Sequence, residues 1–126
     1  MENEKETIDL NEGDFIDMRV YLVGSFFGRV IKKYKTAQES FFIAAFCDYS
    51  AKGIFYKLVR VCEGNLFIIQ DASNFSEYVN GEDISVSIIK LEHSQYREVI
   101  ERISKEINNR IGSEIMREHE FKRLFE

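Results

Sequence analysis

The sequence contains no proline and no tryptophan, and it has only two cysteines, Cys47 and Cys62, and two histidines, His93 and His119. Without proline there is no proline-rich linker and no folding step that waits for a cis-proline bond. No apolar run approaches the ~20 residues that a membrane helix needs. The acidic start MENEKETIDL also lacks the apolar segment of a secretory signal. These absences predict a cytoplasmic protein with reduced cysteines and no membrane contact.

The scarcity of histidine and cysteine also argues against catalytic and metal chemistry. The string HEFKR, which begins at His119, starts like the zinc-protease motif HExxH but has Arg123 where the second histidine must stand. Neither cysteine nor His93 has a partner two to four residues away, as structural zinc sites usually do. Cys47 lies in a very apolar stretch, which favours a buried, unreactive thiol. We therefore predict no catalytic residue, no metal site, no cofactor and no enzymatic activity.

Aromatic residues, by contrast, are abundant, with eleven phenylalanines and six tyrosines. The hydrophobic fraction of 44% and the charged fraction of 31% are typical of a globular protein. A chain of 126 residues is long enough to bury the core of one domain. We expect a single α+β domain over residues 1–126, with a frayed terminus over 1–10. The surplus of aromatic residues either lies under helices on both faces of a sheet or leaves an apolar patch for a partner.

The stretch from Gly53 to Gln70 is predicted to form a β-hairpin. Its first half is rich in β-branched and aromatic residues, and Val59 and Val61 alternate with residues for the opposite face. Gly64-Asn65 places glycine at the first central position of a two-residue type II′ turn. The apolar run Leu66–Ile69 then returns as the second strand.

Further strands are predicted before and after this hairpin. From Ser40 to Tyr49 apolar residues occupy both faces, which indicates a central strand or a strand with one face on a partner. From Ile84 to Leu91 apolar residues on one face alternate with Ser85 and Ser87 on the other, as in a strand with one buried face.

Two amphipathic helices are predicted at the C-terminal end. Ser94 is placed to cap the first helix, whose remaining faces have opposite charges four residues apart. Gly112 and Ser113 are expected to end it, and a second helix follows over about 113–125. The apolar stripe of the first helix has spacings of three and four and comprises Tyr96, Ile100, Ile103, Ile107 and Ile111.

Residues 14–36 are predicted to form an N-terminal helix. Their apolar positions also recur at spacings of three and four, and the start is acidic while the end is rich in lysine, which suits a helix dipole. The alternative is two strands that separate near Gly24, because Arg19 to Val23 is β-prone and Gly24 and Gly28 weaken a helix.

Together these elements predict an α+β fold. Its antiparallel sheet has four or five strands, with the N-terminal helix and one or two C-terminal amphipathic helices packed on it. The helix–sheet–helix order resembles the small acidic chaperones of type III secretion, at the level of architecture alone.

Charge is distributed unevenly along this acidic chain, whose formal net charge is −5. Residues 1–18 hold seven acids and one base, and the next eighteen hold five bases and no acid. These eighteen residues include a basic segment in which Tyr34 lies among the bases. Such a segment raises the hypothesis of nucleic-acid binding. The small size of the patch and the acidity of the whole chain make nucleic acid an unlikely partner, and a solvated helix end is the preferred interpretation.

The favoured functional hypothesis is an acidic binding protein that inhibits, neutralises or escorts a protein partner. Its candidate contacts are the aromatic Tyr56 and a docking helix over 113–126 with Phe121 and Phe125, although that helix equally suits closure of the core. A homodimer through the sheet edge, or through the face with Gly24 and Gly28, is a further expectation.

The alternative hypothesis is a binding domain for a small anionic or nucleotide-like ligand. A sheet lined by aromatic residues under a helix can form a pocket, and the cations Arg29, Lys57 and Arg60 are candidates to meet an anionic group.

Overall fold

The computed structural model describes residues 9–21, 23–49, 53–62, 66–69, 83–108 and 114–125, with side chains in the last range from residue 119 onward. The described part of the chain forms six strands and two helices. They are β1 Phe15–Val20, β2 Gly24–Lys35, β3 Ser40–Asp48, β4 Ile54–Val61, β5 Leu66–Ile69, β6 Ile84–Lys90, α1 His93–Asn108 and α2 Glu114–Phe125.

The strands form a closed antiparallel barrel. Each strand pairs with the next along the chain, and β1 also pairs with β6, so that the order is β1-β2-β3-β4-β5-β6. The prediction of a four- or five-stranded open sheet is therefore wrong. Closure gives every described strand two neighbours, so the described barrel lacks the free sheet edge that was one of the two expected routes to a homodimer.

The predicted N-terminal helix over 14–36 is wrong, and the alternative of two strands that separate near Gly24 is confirmed. Gly24 has φ of +135°, a conformation that other residues rarely adopt, and it begins β2 after the turn. The alternation of polar and apolar residues that marks a strand is hidden in β1 and β2, because both faces of these strands are covered. Ile16 faces the barrel interior, whereas Phe15 and Phe27 lie under the helices. Without an N-terminal helix, the architectural resemblance to the secretion chaperones is lost.

The barrel interior is an apolar core. Its members are Leu10, Ile16, Met18, Val20, Phe26, Val30, Phe42, Ala44, Phe46, Val59, Phe67, Ile69, Val86 and Ile88. Gly28 also faces this interior, where the ring of Phe46 occupies the space of a side chain. A Cβ on Gly28 would lie 2.5 Å from Cδ1 of Phe46, so glycine is required for this close approach. Gly28 therefore does not form the external face proposed for a homodimer.

The two helices cover one side of the barrel. The predicted isoleucine stripe of α1 is confirmed for Ile100, Ile103 and Ile107, which are buried. They pack with α2 against outward residues of β1, β2 and β3, and the rings of Phe27 and Phe125 lie 5.1 Å apart. This contact explains why β3 is apolar on both faces: one face lines the barrel, and part of the other lies under helices.

The predicted hairpin is confirmed by the antiparallel register of β4 and β5, in which Val59, Arg60 and Val61 lie opposite Ile69, Ile68 and Phe67. The predicted strand β6 and both C-terminal helices are also confirmed. The predicted turn at Gly64-Asn65 and the helix break at Gly112 and Ser113 fall outside the described residues. Within the described ranges, no helix is both long and apolar enough to cross a membrane.

Candidate functional site

Strand β4 separates the predicted binding residues onto opposite faces. Lys57 is only 7% exposed and shares the barrel-facing side of β4 with Val59, whereas Tyr56 points outward and is 49% exposed. Arg60 lies on the same outer face as Tyr56 and forms an ion pair with Glu39 at 3.6 Å. Tyr56 and Arg60 can therefore contribute to one external surface, and Lys57 cannot.

Arg29 binds the protein itself. Its Nε donates a hydrogen bond to the carbonyl oxygen of Gly13 at 3.0 Å, and its Nη1 donates to the carbonyl oxygen of Leu124 at 3.1 Å. The guanidinium also lies 4.6 Å from the centre of the Phe15 ring. A cation at the last carbonyls of a helix favours its dipole. Arg29 thus attaches the end of α2 to the barrel.

Phe121 and Phe125 lie inside the protein. They are 1% and 0% exposed, and their ring centres are 5.0 Å apart. Both belong to the cluster between the helices and the barrel. Their position is the one expected of a helix that closes the core.

The side of the barrel away from the helices presents an apolar surface, here called the open wall. Its residues point outward from β2 to β5 and are exposed or half-buried: Tyr34, Phe41, Ile43, Tyr56, Leu58, Arg60, Leu66 and Ile68. Across the strands, Phe41 is opposite both Tyr34 and Arg60, and Arg60 is opposite Ile68. Directly opposite residues in antiparallel strands place their Cβ atoms ~5 Å apart. The open wall is thus a continuous row of side chains.

The charges beside the open wall are mainly positive. Lys32 is exposed on the outer face of this half of β2, and its Nζ lies 5.4 Å from the centre of the Tyr34 ring. Arg60 lies within the row, and Glu39 is its acidic neighbour. The local surface therefore favours an acidic counterpart, although the whole chain is acidic.

A polar cluster that the sequence did not reveal lies between β1, β3 and α1. Asp17 is 7% exposed, and its Oδ1 accepts a hydrogen bond of 2.6 Å from the Tyr49 hydroxyl. Arg19 lies 3.6 Å from the same carboxylate, and Arg102 of α1 lies 5.5 Å from the centre of the Tyr49 ring. Burial, followed by the bond to Asp17, raises the pKa of the Tyr49 phenol. The polar groups of this cluster form a hydrogen bond and an ion pair with one another, which is typical of a structural cluster.

The cysteines form no disulfide in the described structure, as predicted. Cys47 is buried between the barrel and the helices, and this burial raises the pKa of its thiol, with a smaller effect from Asp48. The predicted burial of Cys47 is confirmed, and such burial is typical of an unreactive thiol. Among the described residues, no group of three or more histidine, cysteine or acidic side chains is placed to hold a metal ion.

Comparison with known proteins gives no match to a family model, to a curated protein or to a solved structure.

Proposed function

We propose that this chain is a non-enzymatic, cytoplasmic binding protein whose open wall docks an acidic segment of a protein partner. The observation that supports this most directly is the contiguous row of outward apolar side chains on the barrel side that the helices leave uncovered. Contiguous apolar patches on a soluble domain commonly mark interaction sites. Binding would allow the protein to inhibit, neutralise or escort its partner.

The composition of the open wall favours a protein over a nucleic acid. Ile43, Leu58, Leu66 and Ile68 are aliphatic and have no flat face on which a base could stack. Aliphatic and aromatic side chains together form the apolar centre of protein interfaces. The positive side chains at the edge of the wall are placed to meet partner carboxylates and to guide the encounter.

Tyr56 and Arg60 are the expected anchors of this interface. Tyrosine and arginine are enriched among the residues that dominate binding energy, and both lie on the outer face of β4 four residues apart. Eight wall residues are fewer than the ~20 that one partner contributes to an interface of standard size. The wall therefore suits a short segment of a partner, or the apolar centre of a larger contact.

The test is gentle purification of the tagged protein from its own host, followed by native mass spectrometry of the wild type and two variants. Tyr56→Glu puts a carboxylate on the open wall. Tyr21→Glu is the matched control, because Tyr21 is 85% exposed in the turn between β1 and β2. We expect a partner at fixed stoichiometry with the wild type and with Tyr21→Glu, and recovery reduced by about tenfold or more with Tyr56→Glu.

Circular dichroism must show that both variants fold like the wild type. The proposal fails if Tyr56→Glu retains the partner, or if both variants lose it equally. Recovery of a nucleic acid, or of a homo-oligomer alone, would also contradict it.

A further inference from the structure

A pocket lies at the end of the barrel where β2 ends and β3 begins. A cavity of about 220 Å³ opens there, here called the mouth pocket. It is lined by Asp9, Leu10, Lys33, Ser40, Phe41, Phe42, Val61 and Phe67. Phe41 is the one residue that this pocket shares with the open wall, so the two surfaces adjoin there and otherwise consist of different side chains.

The base of the mouth pocket is apolar and rigidly packed. Leu10, Phe42 and Phe67 are 5%, 2% and 1% exposed, and the rings of Phe42 and Phe67 meet edge to face with centres 5.9 Å apart. These buried side chains form a packed floor, and the half-buried Phe41 and Val61 supply the apolar surface that a ligand can reach without rearrangement.

The rim of the pocket is polar, and a β-bulge places its cation. The register of β2 and β3 shifts between Val30 and Lys32, so that Lys33 is opposite the inward-facing Phe42. Lys33 therefore lies on the pocket side, whereas its neighbour Lys32 lies on the outer face. The Ser40 hydroxyl is a second polar group of the lining.

Lys33 has its own acidic contacts, and they are weak. Its Nζ lies 4.0 Å from Oδ1 of Asp9, whose side chain is 85% exposed, and Oε2 of Glu12 accepts the Lys33 backbone N–H at 3.3 Å. An ion pair between exposed side chains contributes little to stability. A carboxylate that also buries an apolar body can therefore displace Asp9 from the Lys33 ammonium group.

We infer that the mouth pocket binds a small monocarboxylate, with its apolar body against the half-buried Phe41 and Val61 and its carboxylate on Lys33. A pocket with an apolar base and one placed charge is typical of small-molecule sites at the mouths of β-barrels. At ~30 Å³ for each displaced water, the volume holds roughly seven heavy atoms. Hexanoate has eight heavy atoms, so it fills this volume when its carboxylate lies at the rim beside Lys33.

The test is a titration of the full chain, followed by proton NMR of the aromatic signals, with butanoate, hexanoate, octanoate and decanoate. Each buried methylene group is expected to increase affinity roughly fourfold. The increase should stop between hexanoate and octanoate, because further methylene groups remain in water. Hexanol, which has the same chain without the charge, should bind more weakly than hexanoate.

Two variants assign the site. Lys33→Gln should reduce hexanoate binding by about tenfold and leave hexanol binding unchanged, since a charge-assisted hydrogen bond is lost. Lys32→Gln is the matched control on the opposite face of the strand. It should change neither hexanoate binding nor hexanol binding. Val61→Phe fills the half-buried lining and should abolish binding of both ligands.

The inference is overturned if the acids bind with no dependence on chain length. It is also overturned if hexanol binds with the same affinity as hexanoate, or if Lys32→Gln and Lys33→Gln reduce the affinity for hexanoate equally. If Val61→Phe does not fold, Ser40→Phe fills the same lining from β3 and decides the outcome. Tyr56→Glu should leave hexanoate binding intact, so failure here is distinguishable from failure of the proposed partner site.

Discussion

At the scale of single residues, Gly28 shows how one absent side chain determines the packing of the barrel. The space above it holds the ring of Phe46, and an added Cβ would also lie 3.0 Å from the carbonyl oxygen of Ala45. That oxygen belongs to the paired strand and cannot move without a shift of the ladder. Gly28 is therefore a packing requirement, and its presence, which counted against the predicted helix over 14–36, is explained by this close approach.

Gly28→Ala is expected to lower the free energy of unfolding by about 1–3 kcal/mol, because overpacking forces neighbouring groups to shift. Urea denaturation measures this change. Ser25→Ala, at an exposed position of the same strand, is the control and should stay within about 0.5 kcal/mol.

Shortening Phe46 tests the cause of this effect. The double variant Gly28→Ala, Phe46→Leu should be more stable than the sum of the single effects predicts, since the clash is relieved. The Phe46 ring is not the obstacle if the two single effects simply add in the double variant. The same conclusion follows if Gly28→Ala lowers the free energy of unfolding no more than Ser25→Ala does.

Residue-level features of the binding surfaces were only partly readable from the sequence. Alternation along β4 shows that Tyr56 and Lys57 point to opposite faces, but it does not show which face is inside. The side of Lys33 depends on the bulge after Val30, and one extra residue inverts every later side chain. Asp17 is one of the seven acids among residues 1–18, and no local pattern in the sequence indicates its bond to Tyr49.

At the scale of elements, the attachment of α2 depends on Arg29. The arginine joins the turn at Gly13 to the last turn of the helix at Leu124, so one side chain fixes two segments. A planar guanidinium can donate in both directions at once, whereas an ammonium group acts as a compact point charge.

Arg29→Lys is therefore expected to destabilise the protein by about 1–3 kcal/mol, although the charge is kept. Hydrogen exchange should show this loss of stability first as faster exchange of the amides of α2. Arg97→Lys, at an exposed position of α1, is the matched control. Equal exchange of α2 in the wild type and Arg29→Lys would contradict this role for the arginine.

Elements with one clear periodicity were predicted correctly, and so was the continuous apolar run of β3, whereas β1 and β2 were predicted as one helix. The α1 stripe and the alternation of β6 each reflect one buried face. In β1, Phe15 lies under the helices and Ile16 lies in the barrel, so burial removes the alternation on which a strand prediction depends. Barrel closure was not readable, because the pairing of β1 with β6 leaves no local pattern.

At the scale of the whole molecule, the contact between Tyr49 and Asp17 links stability to pH, because it joins β1 to the end of β3 beneath α1. Burial and the bond to Asp17 raise the pKa of Tyr49, while Arg102 has a smaller, opposite effect. The folded protein therefore holds this proton more tightly than the unfolded chain does. Its contribution to stability is complete below about pH 10, the usual pKa of tyrosine, and decreases as the pH rises through the folded-state value.

Urea denaturation of the wild type and Tyr49→Phe on both sides of about pH 10 tests this linkage. The wild type should be the more stable of the two at neutral pH, because Tyr49→Phe leaves the buried carboxylate without its hydrogen bond. The difference should shrink as the solution becomes more alkaline. A difference that is independent of pH would refute the linkage.

Barrel closure also has a consequence for the order of folding during synthesis. Ile16 pairs with Lys90, so β1 waits for most of the chain to leave the ribosome before it gains its second neighbour. Successive hairpins can form as they emerge, but the newest strand has one free edge, and β1 keeps its own unsatisfied edge until β6 arrives. Since α1 begins three residues after β6 ends, the helices complete the molecule only when that edge has disappeared. The nascent chain is therefore most exposed to aggregation just before its last strand is made.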